Sequence, residues 1–210
     1  MNPKLWLSGL DGIIPGGISI VDFSKVIDAD KGAAKRILDE LARSGIGKFD
    51  GEVMEFDEGD KLRTVVLALE KGIPIDEAAK HLSWRDFEGL TAEILELKDF
   101  ATIRNMMLTN PRMEIDVVGI KFGIALLIDC KHWKRHSQSA LENAVLKQVE
   151  RTKQYVARTK GAIAAPAIVT LYQDKLSFIN NVPIVPIFQF ASFVDEFYGN
   201  LEDMETIRTE

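Results

Sequence analysis

The feature that most constrains this chain is a pair of apolar, β-branched runs, each carrying a carboxylate where a buried strand should have none. The first is Glu114-Ile115-Asp116-Val117-Val118-Gly119, and the second, after a glycine-containing turn, is Leu127-Ile128-Asp129-Cys130-Lys131-His132-Trp133. Side chains alternate between the faces of a strand, so Asp129 and Lys131 share one face and Cys130 takes the other. If the runs pair as a hairpin turning at about Lys121 to Gly123, Asp116 and Asp129 fall close together near one end of a sheet. Two neighbouring ionised carboxylates repel each other and cost desolvation energy. A divalent, oxygen-seeking cation removes that penalty. Mg²⁺ fits, with Mn²⁺ able to substitute, because it needs few carboxylates and keeps waters and phosphate oxygens as remaining ligands. Lys131 is placed to stabilise charge developing on a phosphate, or to orient or deprotonate a water. A third acid is expected from a preceding helix. Glu88 is the first candidate, with Glu93 and Glu114 behind it.

Bland readings compete with this one. Asp-x-Lys alone is common and is usually a surface ion pair. Charges embedded in Ile/Leu/Val strands, beside a second acid-bearing strand, are far less common. His132 and His136 have no partners at zinc-ligand spacing and read as part of a basic surface. Cys130 reads as a buried small residue and Trp133 as packing.

The flanking pattern is α/β. Ser83-x-x-Asp86 caps a helix to about Lys98, with Phe87, Leu90, Ile94 and Leu97 on one face. Three strands are predicted at about 101–107, 113–120 and 123–130, then a helix from about Ser139 to Arg158 with Leu141, Val145, Val149 and Val156 on its buried side. Ala167 to Tyr172 reads as a short apolar strand. Val182 to Phe190 reads as an edge strand, because Pro183 and Pro186 cannot donate to a central ladder. Ala191 to Tyr198 closes with a small helix.

In this order, "DFEGLTAEILELKDF", "EIDVVG" and "LLIDCKHW" resemble the PD-(D/E)XK nuclease superfamily, above all its Mrr-like restriction endonuclease branch and the archaeal Holliday-junction resolvases. The resemblance covers about residues 84 to 198, and "VPIVPIFQFASFVDEF" is similar to the terminal strand and helix of such domains. It implies a restriction-endonuclease-like core, α-β-β-β-α-β, with a mixed sheet flanked by helices. It places Asp116 on the family's metal-binding aspartate, Asp129 on its D/E position, Lys131 on its lysine and Phe87-Glu88 on the Phe-Glu start of its first helix. Glu88, Asp116 and Asp129 would be the metal ligands, and with Lys131 the catalytic set. Met113-Glu114-Ile115 departs from the family's more usual Gly-rich approach to the aspartate, and Gln148 falls where some branches place a glutamine near the site.

Residues 1–82 read as a separate small α+β domain, and 83–210 as the nuclease domain. Asp30 can cap a helix to about Arg43, with Ala34, Ile37, Leu38 and Leu41 inward and Gly45 as its stop. Strands Ile46 to Phe49 and Glu52 to Phe56 follow, joined by the two-residue turn Asp50-Gly51. A helix from about Glu58 to Lys71 buries Leu62, Val65, Val66 and Leu69, and Ile73 to Leu82 makes a short connecting helix. Helix, helix, hairpin, helix resembles a winged-helix DNA-binding domain, with "AAKRILDELARSGIGKFDGEVMEF" as its second helix and wing. The wing is acidic, however. Asp50, Glu52, Glu55, Asp57 and Glu58 outweigh Lys48, so contact with phosphate there is repulsive. A dimerisation or partner-docking role competes with DNA contact.

The net charge of −6 argues against indiscriminate polyanion binding, but it hides an asymmetry. From Lys131 to Lys160, eight Lys or Arg residues face only Glu142 and Glu150. That basic track suits a phosphate backbone, with Lys134, Arg135, Lys147, Gln148, Arg151 and Lys153 as DNA-binding candidates and Lys35 and Arg36 as further ones on the winged-helix-like module. No apolar run approaches the roughly 20 residues that span a bilayer, so no membrane partner is expected. One cysteine fits a reducing cytoplasm, here with nucleoid association. The leading expectation is a Mg²⁺-dependent DNA endonuclease acting on double-stranded DNA as a homodimer. A DNA-binding regulator on an inactive nuclease fold and a branched-DNA resolvase are the alternatives.

Overall fold

The computed structural model describes residues 3–133, 137–171 and 175–209, in two units, Met1–Asp86 and Phe87–Glu210. Lys134, Arg135 and His136 lie outside the described residues. The first unit contains α1 (Pro3–Leu10), β1 (Gly16–Ser19), α2 (Ile20–Val26), α3 (Lys31–Arg43), β2 (Lys48–Phe49), β3 (Val53–Phe56), α4 (Asp60–Glu70) and α5 (Ile75–Ala79). Asp30 caps α3 by accepting the Ala33 N–H at 2.9 Å, and Ala34, Ile37, Leu38 and Leu41 are buried. The hairpin forms with a longer turn than the two-residue one expected. Phe49 pairs with Met54, because Asp50 Oδ1 captures the N–H groups of both Glu52 and Val53 at 2.8 Å. β1, not anticipated from sequence, completes an antiparallel sheet in the order β1-β3-β2. On α4 the inward residues are Asp60, Thr64, Val65 and Ala68, while Leu62, Val66 and Leu69 stay partly exposed. Asp60 turns the helix that way: its carboxylate accepts from Asp57 N and pairs with Arg63, both at 2.8 Å.

The second unit is built on a seven-stranded mixed sheet. Its elements are α6 (Trp84–Glu96), β4 (Ala101–Leu108), β5 (Met113–Lys121), β6 (Ile124–Lys131), α7 (Gln138–Arg158), β7 (Ile163–Thr170), β8 (Ser177–Ile179), β9 (Val182–Pro186), α8 (Ile187–Glu196) and β10 (Ile207–Arg208). Strand order is β4-β5-β6-β7-β9-β8, with β10 pairing β7. The β5–β6 hairpin turns where predicted, Lys121 opposite Ile124, with Phe122 and Gly123 at φ of +48° and +77°. Both turn residues being left-handed is the turn whose twist matches paired strands. The chain then crosses through α7 to enter β7 parallel to β6. Among the described residues no helix is long and apolar enough to cross a membrane.

Two predicted strand assignments need correction. β9 is an interior strand, parallel to β7 on one side and antiparallel to β8 on the other. Its prolines are tolerated by position: Pro183 lies outside the stretch that pairs with β7, and Pro186 ends the strand and caps α8. The edge is β8. β7 begins at Ile163 and contains Pro166, which faces Leu127 of β6 and lies between the residues that pair with β10 and those that pair with β9. A missing donor at that gap breaks no ladder on that side.

The core lies on both faces. On one, α7 covers the sheet, with Tyr155 and Val156 against Val118, Leu127 and Ala164, and Leu141 and Val145 against Ile168, Val182 and Ile184. On the other, α6 buries Phe87, Leu90 and Leu95. It closes on β5 at Gly119, where a Cβ would fall 2.9 Å from Leu95 Cδ1. Leu97, expected on the buried face, is 75% exposed because α6 ends at Glu96.

Candidate active site

Regular β5–β6 pairing runs from Lys121 opposite Ile124 to Val117 opposite Ile128. At the next residue a side chain replaces the backbone: Cys130 N–H donates to Asp116 Oδ2 at 2.7 Å. Across β5 on the other side, Arg104–Val117 and Met106–Ile115 bracket Asn105 and Asp116, and Asn105 has a left-handed φ of +51°. Ile115 and Val118, three residues apart, nevertheless share one apolar cluster. A regular strand would put them on opposite faces. The sheet is therefore locally irregular at Asp116, and the irregularity frees its carboxylate to turn toward β6.

Asp129 is 2% exposed, on the α7 face of β6. Its Oδ2 lies 2.6 Å from Lys131 Nζ and its Oδ1 lies 2.9 Å from Arg151 Nη1. Burial first, and then the negative charge of Asp129, push the Asp116 carboxyl up to about 6. The Cys130 N–H, Lys131 and Arg151 act the other way. The alternation predicted for β6 holds, since Cys130 Sγ turns to Thr91 Oγ1 on α6 at 3.6 Å. Burial, reinforced by Asp116, raises its thiol well above the ordinary range, so it stays protonated.

Asp116, Asp129 and Lys131 thus come together. Glu88 is buried one helical turn before Thr91, and its charge is felt at Cys130. Among the described residues no three His, Cys, Asp or Glu side chains form a group that could hold a metal, so Glu88 does not complete a three-acid cluster. Glu93 is partly buried and Glu114 exposed. The oxygen donors present, with the thiol protonated and turned away, fit a hard cation that takes two carboxylates and keeps much of its water. The repulsion that raises Asp116 is what such a cation would relieve.

The basic candidates divide. Lys147 and Lys153 are exposed on α7, whereas Gln148 is fully buried and its Oε1 accepts from Arg151 Nη1 at 3.3 Å. Arg151 is drawn inward to Asp129. Lys35 pairs with Asp39 at 3.3 Å and Arg36 is exposed on α3. Sequence reasoning missed the Arg151–Asp129 pair and the Thr91 contact. A signal for the first was present: the buried stripe of α7 passes through Gln148 and Thr152, polar residues that imply polar company beneath.

No protein-family model matches the sequence. An uncharacterised protein of Archaeoglobus fulgidus is 32% identical over an alignment of 126 residues that covers 58% of this chain and 97% of that protein. Protein VC1899 of Vibrio cholerae superposes over 96% of this chain with a TM-score of 0.44 and 12% identity. Can2 of Sulfobacillus thermosulfidooxidans, solved in complex with cyclic tetra-adenylate, superposes over 93% with a TM-score of 0.40 and 10% identity. The chain spans 52% and 49% of the lengths of those two structures, about half of each.

Proposed function

This chain belongs to one family with the Archaeoglobus fulgidus protein, and we propose that it is a metal-dependent DNA endonuclease with a restriction-endonuclease-like core. The observation that carries the reading is the convergence of Asp116, Asp129 and Lys131 at the irregular end of the β5–β6 hairpin. Asp116 and Asp129 would hold the cation. Glu88, behind Cys130, would act on it through electrostatics rather than as a third ligand. Lewis-acid polarisation of the scissile phosphate is the chemistry that Mg²⁺, or Mn²⁺ in its place, supplies when bound. Lys131, fixed against Asp129, presents its ammonium to the phosphate and stabilises charge developing there. In the hydrolysis, a water oxygen bonds to phosphorus and one P–O ester bond breaks. The electron pair leaves on the sugar oxygen, which takes up a proton. Lys147 and Lys153 give the exposed face of α7 a positive track for a DNA backbone. The first unit, winged-helix-like in its order of helices and hairpin, would help choose the target or join two chains. A homodimer would place two sites on a duplex.

The test is to incubate the full chain with supercoiled plasmid, linear duplex and a synthetic four-way junction in Mg²⁺ and in EDTA. Nicking in Mg²⁺, absent in EDTA and lost in Lys131→Ala while DNA retention persists, is the expected result. Equal activity in the variant or in EDTA would sink the reading. Preference for the junction would mark a resolvase, and retention without nicking a regulator on an inactive nuclease fold.

A further inference from the structure

Resting on the nuclease reading, we infer that Arg151 is a positioning residue that stands in for the divalent cation at Asp129, and that cation and DNA phosphate displace it together. Each ligand then tightens the binding of the other. Asp129 is 2% exposed, and both of its oxygens already face a cation, Lys131 Nζ at 2.6 Å and Arg151 Nη1 at 2.9 Å. An ion that uses this carboxylate competes with both contacts for the same two oxygens, and it gains most where one of them yields. Lys131 is the less movable partner. It projects from the same face of the same strand as Asp129, and its Nζ lies 5.3 Å from the centre of the Trp133 ring. Arg151 comes from a different element, α7, on a longer side chain, while the two cations are about equally exposed, at 23% and 21%. Among the described residues Arg151 also approaches Gln148 Oε1 at 3.3 Å.

Charge points the same way. With both acids ionised, Asp116 and Asp129 balance Lys131 and Arg151. A divalent ion added to that set leaves an excess of two positive charges, of which the nearby Glu88 can offset at most one, in a largely buried place, and the remainder is costly unless a cation moves out or an anion moves in. Arg151 leaving Asp129 does the first. A phosphodiester at the mouth of the site does the second, and it also gives the guanidinium an acceptor pair suited to its planar fork. Without ion or DNA, Arg151 and Lys131 keep the buried Asp129 compensated, so the chain needs no ion in order to fold around it.

Binding of Mn²⁺ to the full chain, read by electron paramagnetic resonance with and without a short phosphorothioate duplex, tests the coupling. In the wild type the duplex should tighten Mn²⁺ binding by about tenfold, within the usual range for coupled sites. Arg151→Met keeps the apolar stem and removes the charge. It should bind Mn²⁺ about tenfold more tightly than wild type without DNA, and the duplex should then add little. The inference fails if Arg151→Met binds Mn²⁺ no more tightly than wild type, or if the duplex tightens both equally. Should that variant not fold by circular dichroism, Arg151→Lys decides. A lysine cannot keep the fork, so it must show smaller coupling than wild type, and equal coupling overturns the proposal. A wild type that binds neither Mn²⁺ nor duplex would sink the nuclease reading along with it. One that binds both while Arg151→Met behaves identically would sink this inference alone.

Discussion

Replacing Asp116 with asparagine should stabilise the protein while disabling its cation site. Burial and the charge of Asp129 raise the Asp116 carboxyl from 3.8 to about 6. A carboxyl raised in the fold holds its proton more tightly folded than unfolded. Its contribution to stability is therefore fully present below 3.8 and is lost as pH rises through about 6. The shift is about 2 units, equivalent to about 3 kcal/mol lost at full ionisation. Asparagine keeps an amide oxygen for the Cys130 N–H, now given to Asp116 Oδ2 at 2.7 Å, and carries no charge to lose a proton. Urea unfolding without divalent ions should therefore find Asp116→Asn more stable than wild type by about 3 kcal/mol at pH 8, by about half that at pH 5, and by almost nothing below about pH 3. Mg²⁺ should close the gap at pH 8 by stabilising only the wild type, by about 2.7 kcal/mol at one hundred times its dissociation constant. A variant less stable than wild type at pH 8, or a gap of equal size at pH 5 and pH 8, would refute the reasoning.

Two further outcomes follow from the geometry of α6 and α7. Gly119→Ala should cost about 1–3 kcal/mol in urea unfolding, because its Cβ would stand 2.9 Å from Leu95 Cδ1 and 3.2 Å from Phe100 Cδ1, both of them buried side chains. An unchanged midpoint would mean that α6 can shift away from β5. Neutralising Lys147 and Lys153 together should lower the slope of log K against log salt for duplex binding by about 2, at about 0.9 per phosphate contact. An unchanged slope would remove the exposed face of α7 from the phosphate track.

Local signals carried the starts of α3 and α6 and the β5–β6 turn, but not the longer turn between β2 and β3 or the start of α8, which lies at Ile187 rather than Ala191. Asp30 and Ser83-x-x-Asp86 each cap a helix through side-chain contacts that lie within a few residues and need no knowledge of the rest of the chain. The strand positions that failed depended on neighbours distant in sequence. Proline rules placed β9 at an edge, yet whether a missing N–H matters depends on which residues the neighbouring strands pair. β7 engages only Ile184 to Pro186 of β9, which leaves Pro183 outside that ladder. Pro166 is tolerated for the same kind of reason, at the gap between the β10 and β9 pairings. On α4 the apolar pattern chose one face, and the Asp60 contacts with Asp57 and Arg63 turned the helix to another.

The acid pair was legible because a carboxylate in an apolar strand is expensive, and an expensive group has a partner. The same rule, applied as strictly to α7, reaches further than the strand pair alone. Gln148 and Thr152 occupy its buried stripe, and each needs a polar neighbour: Thr152 bonds back to Gln148 O at 2.8 Å, and Gln148 meets Arg151. Arg151 itself gave no warning, since an arginine on a helix is ordinarily solvated, and only the burial of Asp129 draws it inward. The sequence reading supplied Asp116 and Asp129 with one protein cation and one metal, and the fold supplies a second protein cation. A site that can balance its own acids does not depend on the ion for folding. An ion that arrives must then compete with Arg151, and the strength of that competition, more than the identity of the two carboxylates, sets how readily the site is loaded away from DNA.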